Sequence, residues 1–295
     1  MPKEITKAAL EELTKIFQVL IIINDRGGSR KSTLLIMLLG IFAMANRAAR
    51  GMEIDDQGRV AQVFGDMVAT LILPPAEYLT KSAAADTGAL APLLNGITRP
   101  DAAVPLIIEV GANLSDRVAS VLMSNRIGKL AQQSNCRIGL LTMIDAGDDT
   151  LSLGAQSAKM FKAALPSAEI IIVQPSDDLR IDLQSPRMSA AARSGYIDVV
   201  QPALAAESRI VWPMLDKDAL LAFEKLRVSP GEFLQMSPEL VGRAGYDPSR
   251  MDFAADDNSM FWIGQKFQSD FELHIAQLVK EVQRKLGFPL GASSV

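Results

Sequence analysis

Short, mostly apolar runs recur along the first 215 residues of the chain, and helix-length segments separate them. The clearest are "VLIII" at 19–23, "VPLIIEV" at 104–110 and "RIGLLTMI" at 137–144. Apolar runs of this kind are typical of strands that are buried on both faces, as in parallel sheets. Parallel neighbours need crossover connections, and the intervening segments predict helices for them. The chain is therefore predicted to be an α/β protein, with a doubly wound, mostly parallel sheet and helices on both faces.

The same patterns predict where the other elements lie. Further strands are predicted at 68–74, 169–175 and 208–215, and residues 52–55 are predicted to be the end of a short strand. Helices are predicted at 5–16, 31–49, 116–132, 151–164, 217–227 and 270–286, with Gly51 as a cap after the second of them. After residue 227, Pro230, Pro238 and Pro248 predict irregular structure. The predicted organisation is a core at 1–215 and a helical or irregular C-terminal appendage at 216–295 that packs on it.

Composition excludes several classes of function. The net charge of −4 and the pI near 5.2 argue against a strongly basic, constitutive nucleic-acid binder, although a local basic face fits them. The chain has one cysteine, Cys136, which excludes an internal disulfide and a Cys-rich metal site. It has one histidine, His274, which argues against a His-cluster metal site and a histidine-based triad. No apolar run is long enough to cross a bilayer, and the amphipathic start, which mixes lysines and glutamates, is not a secretory signal, so a cytoplasmic location is predicted.

The stretch "NDRGGSRKST" at 24–33 lies between a predicted strand and a predicted helix, where a phosphate-binding loop is found. In such a loop, backbone N–H groups surround phosphates at a helix N-terminus. Lys31 would meet the β- and γ-phosphates, the Ser32 hydroxyl would bind Mg²⁺, and Thr33 would reach the α-phosphate. A standard loop also has glycine where Asp25 and Arg30 stand here, so an ordinary glycine-rich turn is the alternative on this stretch alone.

Two further stretches follow predicted strands and strengthen the first interpretation. They are "EIDDQG" at 53–58 and "LIIEVGANLSD" at 106–116. With "RGGSRKST", they resemble the deviant Walker A ATPases of the ParA/MinD superfamily, closest to its plasmid stability and conjugation (StbB/TraL-like) branch. In that superfamily the loop reads K-G-G-x-G-K-[ST]-[ST], the second strand ends in D-x-D-P-Q-G, and the Walker B strand ends in D-x-[GP]. The resemblance covers about residues 17–215.

The resemblance implies that the chain binds ATP with Mg²⁺ and assigns a role to each matching residue. Arg26 stands where the family has a lysine that reaches the phosphates of a partner subunit. Asp55 matches the aspartate that orients the attacking water, and Glu109 replaces the Walker B aspartate. The implied metal ligands are Ser32, Glu109 and Asp55. The implied nucleotide contacts are Gly27, Gly28, Ser29, Arg30, Lys31, Ser32, Thr33 and, at the position of a base-reading asparagine, Gln174.

The resemblance also implies a function: a dimerising ATPase that positions or segregates DNA in plasmid partition, plasmid stability or conjugative transfer. The expected state is a homodimer with ATP sandwiched between the subunits, and hydrolysis is expected to be slow and stimulated by a protein partner. Non-specific DNA is a further expected partner, whereas membrane attachment is not expected because the last helix is mixed in charge. A regulatory switch with little or no hydrolysis is the alternative. A small-molecule P-loop kinase or synthetase would need an acceptor pocket and a lid, which 216–268 would supply.

A group of acidic residues after the strand at 137–144 has two interpretations. Asp145, Asp148 and Asp149 resemble a metal-binding cluster. They also directly precede the predicted helix at 151–164, where an aspartate or threonine side chain caps the first N–H groups. Capping by Asp149 or Thr150 is therefore the prediction.

Overall fold

The structure is a computed structural model, and it describes residues 16–75, 84–174, 181–212, 215–247, 256–288 and 290. Seven strands form one sheet in the order β3-β2-β4-β1-β5-β6-β7, and every neighbouring pair is parallel. The strands are β1 (Val19–Ile23), β2 (Arg50–Ile54), β3 (Val68–Leu71), β4 (Leu106–Val110), β5 (Ile138–Met143), β6 (Glu169–Gln174) and β7 (Arg209–Val211). The predicted α/β class with a parallel sheet is confirmed.

Thirteen α-helices lie within the described residues. They are α1 (Lys31–Met44), α2 (Ala61–Phe64), α3 (Ala85–Ala89), α4 (Ala91–Thr98), α5 (Ser115–Ser124), α6 (Ile127–Gln133), α7 (Asp148–Ala164), α8 (Ala190–Gly195), α9 (Gln201–Ala205), α10 (Lys217–Leu226), α11 (Pro230–Gln235), α12 (Pro238–Gly245) and α13 (Asp257–Leu286). A short 3₁₀ helix, Gly65–Met67, follows α2, and a π-helical turn, Tyr196–Val200, joins α8 to α9.

Helices cover both faces of the sheet. Successive side chains of a strand point to opposite faces, and in β1 they enter two different hydrophobic clusters. Leu20 and Ile22 pack with α1 and with the C-terminal helices α10 to α13. Val19, Ile21 and Ile23 pack with α4 to α7 on the other side. The C-terminal helices therefore complete one of the two helical layers.

This arrangement creates a crevice at the carboxyl end of β1. The chain leaves β1 through α1 toward one face, whereas it leaves the neighbouring strand β4 through α5 toward the other face. Open parallel sheets bind ligands where the direction of the crossovers reverses in this way. The loop at 24–30 lies at that point.

Two helix ends differ from the prediction. Helix α1 ends at Met44, five residues early, and Asn46 has a left-handed φ of 52°. Gly51 is not a cap but a β2 residue, where a Cβ would lie 2.7 Å from the Val68 side chain. The single helix predicted at 116–132 is two helices, because Arg126 between them has a φ of 53°.

The C-terminal region is more helical than predicted. Pro230 and Pro238 do not break structure; each is the first residue of a helix whose preceding serine caps it. This position suits proline because the first N–H of a helix has no intrahelical partner. Helix α13 begins at Asp257, 13 residues before the predicted start, and the Asp256 side chain caps it. Almost all of the predicted helix at 5–16 lies outside the described residues, as does Pro248.

Candidate nucleotide-binding site

A standard phosphate loop has glycine at the two positions that hold Asp25 and Arg30 here. The loop at 24–30 accepts these two residues for different reasons. Gly28 and Arg30 adopt left-handed φ angles of 72° and 63°, so arginine at position 30 costs about 1 kcal/mol relative to glycine. Asp25 lies outside the left-handed region. Its carboxylate accepts a hydrogen bond from the Ser115 N–H at 3.1 Å, and this contact ties the loop to the first turn of α5.

Asn24 anchors the start of the loop, although it is not among the residues that the motifs predict. The side chain is fully buried, and its amide donates to Met143 O at 2.7 Å and to Thr150 O at 2.9 Å. Its Oδ1 accepts the Arg26 N–H at 2.8 Å. These bonds join the loop to β5 and α7. A polar side chain directly after five apolar strand residues is the signal that would have identified it.

The Lys31 ammonium lies inside the loop and is buried. It donates to three acceptors of the loop, which are Asn24 O at 2.6 Å, Arg26 O at 3.3 Å and Ser29 Oγ at 3.3 Å. Burial lowers the pKa of this ammonium, and attraction to three carboxylates opposes the shift, namely those of Glu109, Asp25 and Asp55. The loop thus holds a cation at its centre, as the phosphate-loop interpretation requires.

Ser32 and Glu109 meet beside this lysine. The Ser32 hydroxyl donates to Glu109 Oε1 at 2.7 Å. Glu109 is the fourth residue of β4 and is buried, and its Oε2 has no hydrogen-bond partner among the described residues. Burial raises the pKa of the Glu109 carboxyl to about 7, and the Ser32 hydrogen bond and the Lys31 charge oppose the shift. A buried carboxylate oxygen without a partner is typical of a site for a missing ligand or ion.

The two acidic residues of "EID" have different environments. Asp55 lines the same cavity as Lys31 and Ser32, and its Oδ1 accepts the Gln57 N–H at 3.0 Å. Burial raises the pKa of its carboxyl, and that backbone hydrogen bond opposes the shift. Glu53 instead forms hydrogen bonds that connect β2 to the neighbouring segments of the chain. Its carboxylate accepts hydrogen bonds from Val60 N, Ala61 N and Thr70 Oγ1 at 2.8–3.1 Å.

Two cavities flank the loop. A cavity of about 470 Å³ contains the predicted phosphate and metal residues, and we call it the phosphate cavity. Its lining includes Gly27, Gly28, Ser29, Arg30, Lys31, Ser32, Thr33, Asp55 and Glu109. A Cβ added to Gly27 or Gly28 would meet no heavy atom within 4 Å, so this face of the loop is open. The second cavity, of about 280 Å³, is lined by Arg26, Gln174 and Trp212 among others.

Two predicted residues make contacts that the sequence did not indicate. The Arg26 guanidinium donates to Thr150 Oγ1 in the first turn of α7 of its own chain. The Thr33 hydroxyl donates to Glu224 Oε1 at 3.2 Å, which joins the first turn of α1 to α10 of the C-terminal region. All the predicted site residues thus lie around one loop, and Arg26 and Thr33 also connect it to α7 and α10.

The acidic group after β5 is not arranged as predicted. Helix α7 begins at Asp148, so Asp149 and Thr150 lie inside its first turn and Gly147 is the N-cap. Asp145 Oδ1 accepts the Gly147 N–H at 2.7 Å. Within the described residues, no group of three or more carboxylate, imidazole or thiol side chains has an arrangement for a metal ion. A Mg²⁺ ion that binds with a nucleotide needs only one or two carboxylates, because phosphate oxygens and waters complete its shell.

Neither a scan against protein-family models nor a search of curated proteins returns a match. Across the described ranges, none of the helices combines the length and the apolar character needed to span a membrane.

Proposed function

We propose that this chain binds ATP with Mg²⁺ at the loop of residues 24–33 and hydrolyses the ATP. One observation carries the proposal: the Lys31 ammonium and the Ser32–Glu109 pair lie together beside an open, glycine-containing loop at the carboxyl end of β1. A cationic side chain, a hydroxyl and a buried carboxylate with an unpartnered oxygen are the groups that a nucleotide triphosphate and its metal require. The residues present therefore fit the ligand.

Each residue has a role in this proposal. Bound ATP supplies the phosphoryl group, and its Mg²⁺ neutralises part of the phosphate charge. Lys31 would exchange its loop acceptors for phosphate oxygens, and Ser32 and Glu109 would hold the Mg²⁺ ion. Asp55 lies in the same cavity and orients water, since a carboxylate there can accept a proton from it. Glu109 must be ionised to bind the metal, and the charges of Lys31 and of Mg²⁺ favour that form.

The second cavity provides a place for the base. It adjoins the loop, and Gln174 at the end of β6 lines it together with Trp212. Gln174 is buried, and its backbone carbonyl accepts the Trp212 N–H at 2.7 Å, which holds these two strand ends together. A buried amide and an indole offer hydrogen bonding and an aromatic surface, which suit a purine. We assign base recognition to this cavity.

The resemblance to the ParA/MinD superfamily supports the finer part of the proposal. In this finer proposal, the chain forms an ATP-dependent homodimer that positions or segregates DNA, and a partner protein stimulates hydrolysis. Arg26 then leaves Thr150 and reaches the phosphates bound by the opposite subunit. Arginine suits this role because it is always charged and its planar group matches phosphate.

One contact favours the alternative of a regulatory switch. Thr33 is predicted to approach a phosphate, yet its hydroxyl is bonded to Glu224 on α10. A nucleotide that drew Thr33 toward itself would release α10, and this would convert binding into a movement of the C-terminal region without any need for turnover.

A comparison of affinity with turnover tests the proposal and separates the two functions. We expect the protein to bind Mg²⁺-ATP in calorimetry and to hydrolyse it in a single-turnover assay. Lys31→Ala should abolish measurable binding, because the buried phosphates lose their main compensating charge. Lys129→Ala, on the exposed surface of α6, is the control and should bind as the wild type does. Binding without hydrolysis would favour the switch, whereas equal affinity in Lys31→Ala would refute the site.

A further inference from the structure

A third cavity, of about 440 Å³, adjoins the phosphate cavity, and the proposed function does not use it. It lies between the first turns of α1, the segment 57–63 and the C-terminal end of α10. Its volume is in the range of small-molecule sites, about 300–1,000 Å³. The two cavities share wall residues, which are Ser32, Thr33, Gln57, Arg59 and Glu224. A ligand here would therefore touch the same helix turn that carries Ser32.

One part of the cavity wall is apolar. It consists of Ile36, Val63, Phe223 and Val228. Two other rings hold the Phe223 ring in place. It packs edge-on against the Phe233 ring at a centroid distance of 5.5 Å, and it also contacts the Phe271 ring. A rigid aromatic and aliphatic surface of this kind binds the apolar body of a ligand.

Two arginines supply positive charge to the same cavity. Arg227 follows the last residue of α10 with a left-handed φ of 51°, and its Nη1 donates to Gln62 Oε1 at 2.8 Å. That bond uses one of its five N–H donors. Arg59 makes no hydrogen bond or ion pair with any residue that the structure describes. Both guanidinium groups thus have donors available for a ligand.

The charge of the cavity favours an anion. Among the described residues that line the cavity, the only carboxylate is that of Glu224, which already accepts a hydrogen bond from Thr33 and is outnumbered by the two arginines. A guanidinium presents paired N–H donors whose spacing matches the two oxygens of a carboxylate. A ligand that fits this cavity therefore has an anionic group next to the arginines and an apolar part next to the apolar wall.

We propose that this cavity binds a small organic carboxylate with an apolar body. Arg59 and Arg227 hold the carboxylate, and Phe223 and Val228 contact the apolar body. The site goes beyond the proposed ATPase function, and its occupation needs no nucleotide. The same chemistry occurs at the C-terminus of a peptide that ends in an apolar residue, so the test distinguishes a free acid from a peptide.

Calorimetry with 3-phenylpropanoate and its neutral amide, in the absence of nucleotide, tests the proposal. We expect the acid to bind at least about tenfold more tightly than the amide, because a guanidinium forms stronger, charge-assisted hydrogen bonds with a carboxylate than with a neutral amide. Arg59→Gln and Arg227→Gln should each weaken binding of the acid about tenfold and leave binding of the amide unchanged. Arg243→Gln is the control, since that arginine is exposed and pairs with Asp257 outside the cavity. It should bind the acid as the wild type does.

Every result of this experiment bears on the site. No binding of the acid at millimolar concentration, equal binding of acid and amide, or full affinity in Arg59→Gln would overturn the proposal. The Arg59 variant is decisive because its side chain has no partner among the described residues to lose. A parallel titration uses N-acetyl-Ala-Phe and its C-terminal amide. If this peptide acid binds at least tenfold more tightly than 3-phenylpropanoate, the ligand is a peptide terminus and the free-acid assignment is wrong.

Discussion

At the scale of single residues, contacts within the chain hold the side chains of the site in place. Lys31 lies inside the loop, and Ser32 contacts Glu109. Side chains held by such contacts lose little conformational freedom when a ligand replaces the acceptors, so more of the interaction energy remains as affinity. Asn24 contributes because its amide forms hydrogen bonds that connect the start of the loop to β5 and α7.

Substitution of Asp55 tests most directly whether this residue takes part in the proposed hydrolysis of ATP. Asp55→Ala should leave ATP affinity nearly unchanged, because Lys31, Ser32 and Glu109 remain. It should lower the single-turnover rate by about a hundredfold or more, as loss of a proton-accepting group usually does. Asp66→Ala, an exposed aspartate on the 3₁₀ helix, is the matched control and should hydrolyse normally. Hydrolysis at the wild-type rate in Asp55→Ala would remove this residue from the mechanism.

At the scale of elements, the C-terminal helices depend on close backbone contact. Helices α12 and α13 cross where Gly242 and Gly264 face each other. A Cβ on Gly264 would lie 1.7 Å from the Pro238 carbonyl oxygen, and one on Gly242 would lie 2.0 Å from that of Met260. Since the obstructing atoms belong to the backbone, a rotamer change cannot relieve the clash. The crossing therefore requires glycine on both helices.

Gly264→Ala should separate these helices and lower the free energy of unfolding by about 1–3 kcal/mol or more, the usual cost of overpacking. Gly88→Ala on α3 is the control. A Cβ there meets no heavy atom within 4 Å, so the substitution should be neutral or stabilise by up to about 1 kcal/mol. Chemical denaturation of both variants measures the difference. Equal stability of the two would mean that α12 and α13 do not pack as described.

His274 on α13 links stability to pH. Burial and the positive charge of Arg30 lower the pKa of its imidazole from 6.5 to about 4, and Trp212 Nε1 donates to its Nε2 at 2.8 Å. The unfolded chain thus binds a proton between pH 6.5 and pH 4 that the folded chain does not. The free energy of unfolding should therefore fall as pH falls, by about 2 kcal/mol between pH 7 and pH 5.

His274→Gln isolates this effect, because glutamine can accept the indole hydrogen bond but does not titrate. His274 is the only histidine of the chain, so the difference between the two proteins at each pH reports this residue alone. Denaturation curves at pH 7 and pH 5 should give a pH dependence that is smaller in the variant by about 2 kcal/mol. An identical dependence in both proteins would show that His274 is not buried as a neutral base.

At the scale of the whole molecule, local pattern predicted the sheet and the motif residues but not the contacts that join distant segments. Strands β1, β4 and β5 were found to within two residues because buried parallel strands are continuous apolar runs. Local pattern does not predict helices α11 and α12, because proline usually breaks a helix, whereas Pro230 and Pro238 stand at the first helical position. Thr33 and Glu224 are 191 positions apart, and Arg26 and Thr150 are 124 apart. Such pairs depend on tertiary packing, which no local spacing encodes.

In the proposed function, the assembly of two subunits would depend most directly on Arg26. In the proposed dimer this residue serves the opposite subunit, whereas Lys31, Ser32 and the loop backbone bind ATP within one chain. Arg26→Ala should therefore bind ATP normally but weaken the ATP-dependent dimer by about tenfold or more, because two facing triphosphates repel each other without a bridging cation. Arg26→Lys should restore the dimer in part, since it keeps the charge but not the planar fork.

Thr150→Val supplies the matched control for this test, because it removes the hydroxyl that holds Arg26 within its own chain and leaves the guanidinium intact. It should form the dimer at least as readily as the wild type, since Arg26 no longer has to give up that contact. Light scattering at matched ATP saturation compares all four proteins. A dimer that persists in Arg26→Ala would remove the reason for placing Arg26 across a subunit interface. Loss of the dimer in Thr150→Val, with ATP still bound, would instead assign Arg26 to its own subunit, where its bond to α7 orders the loop.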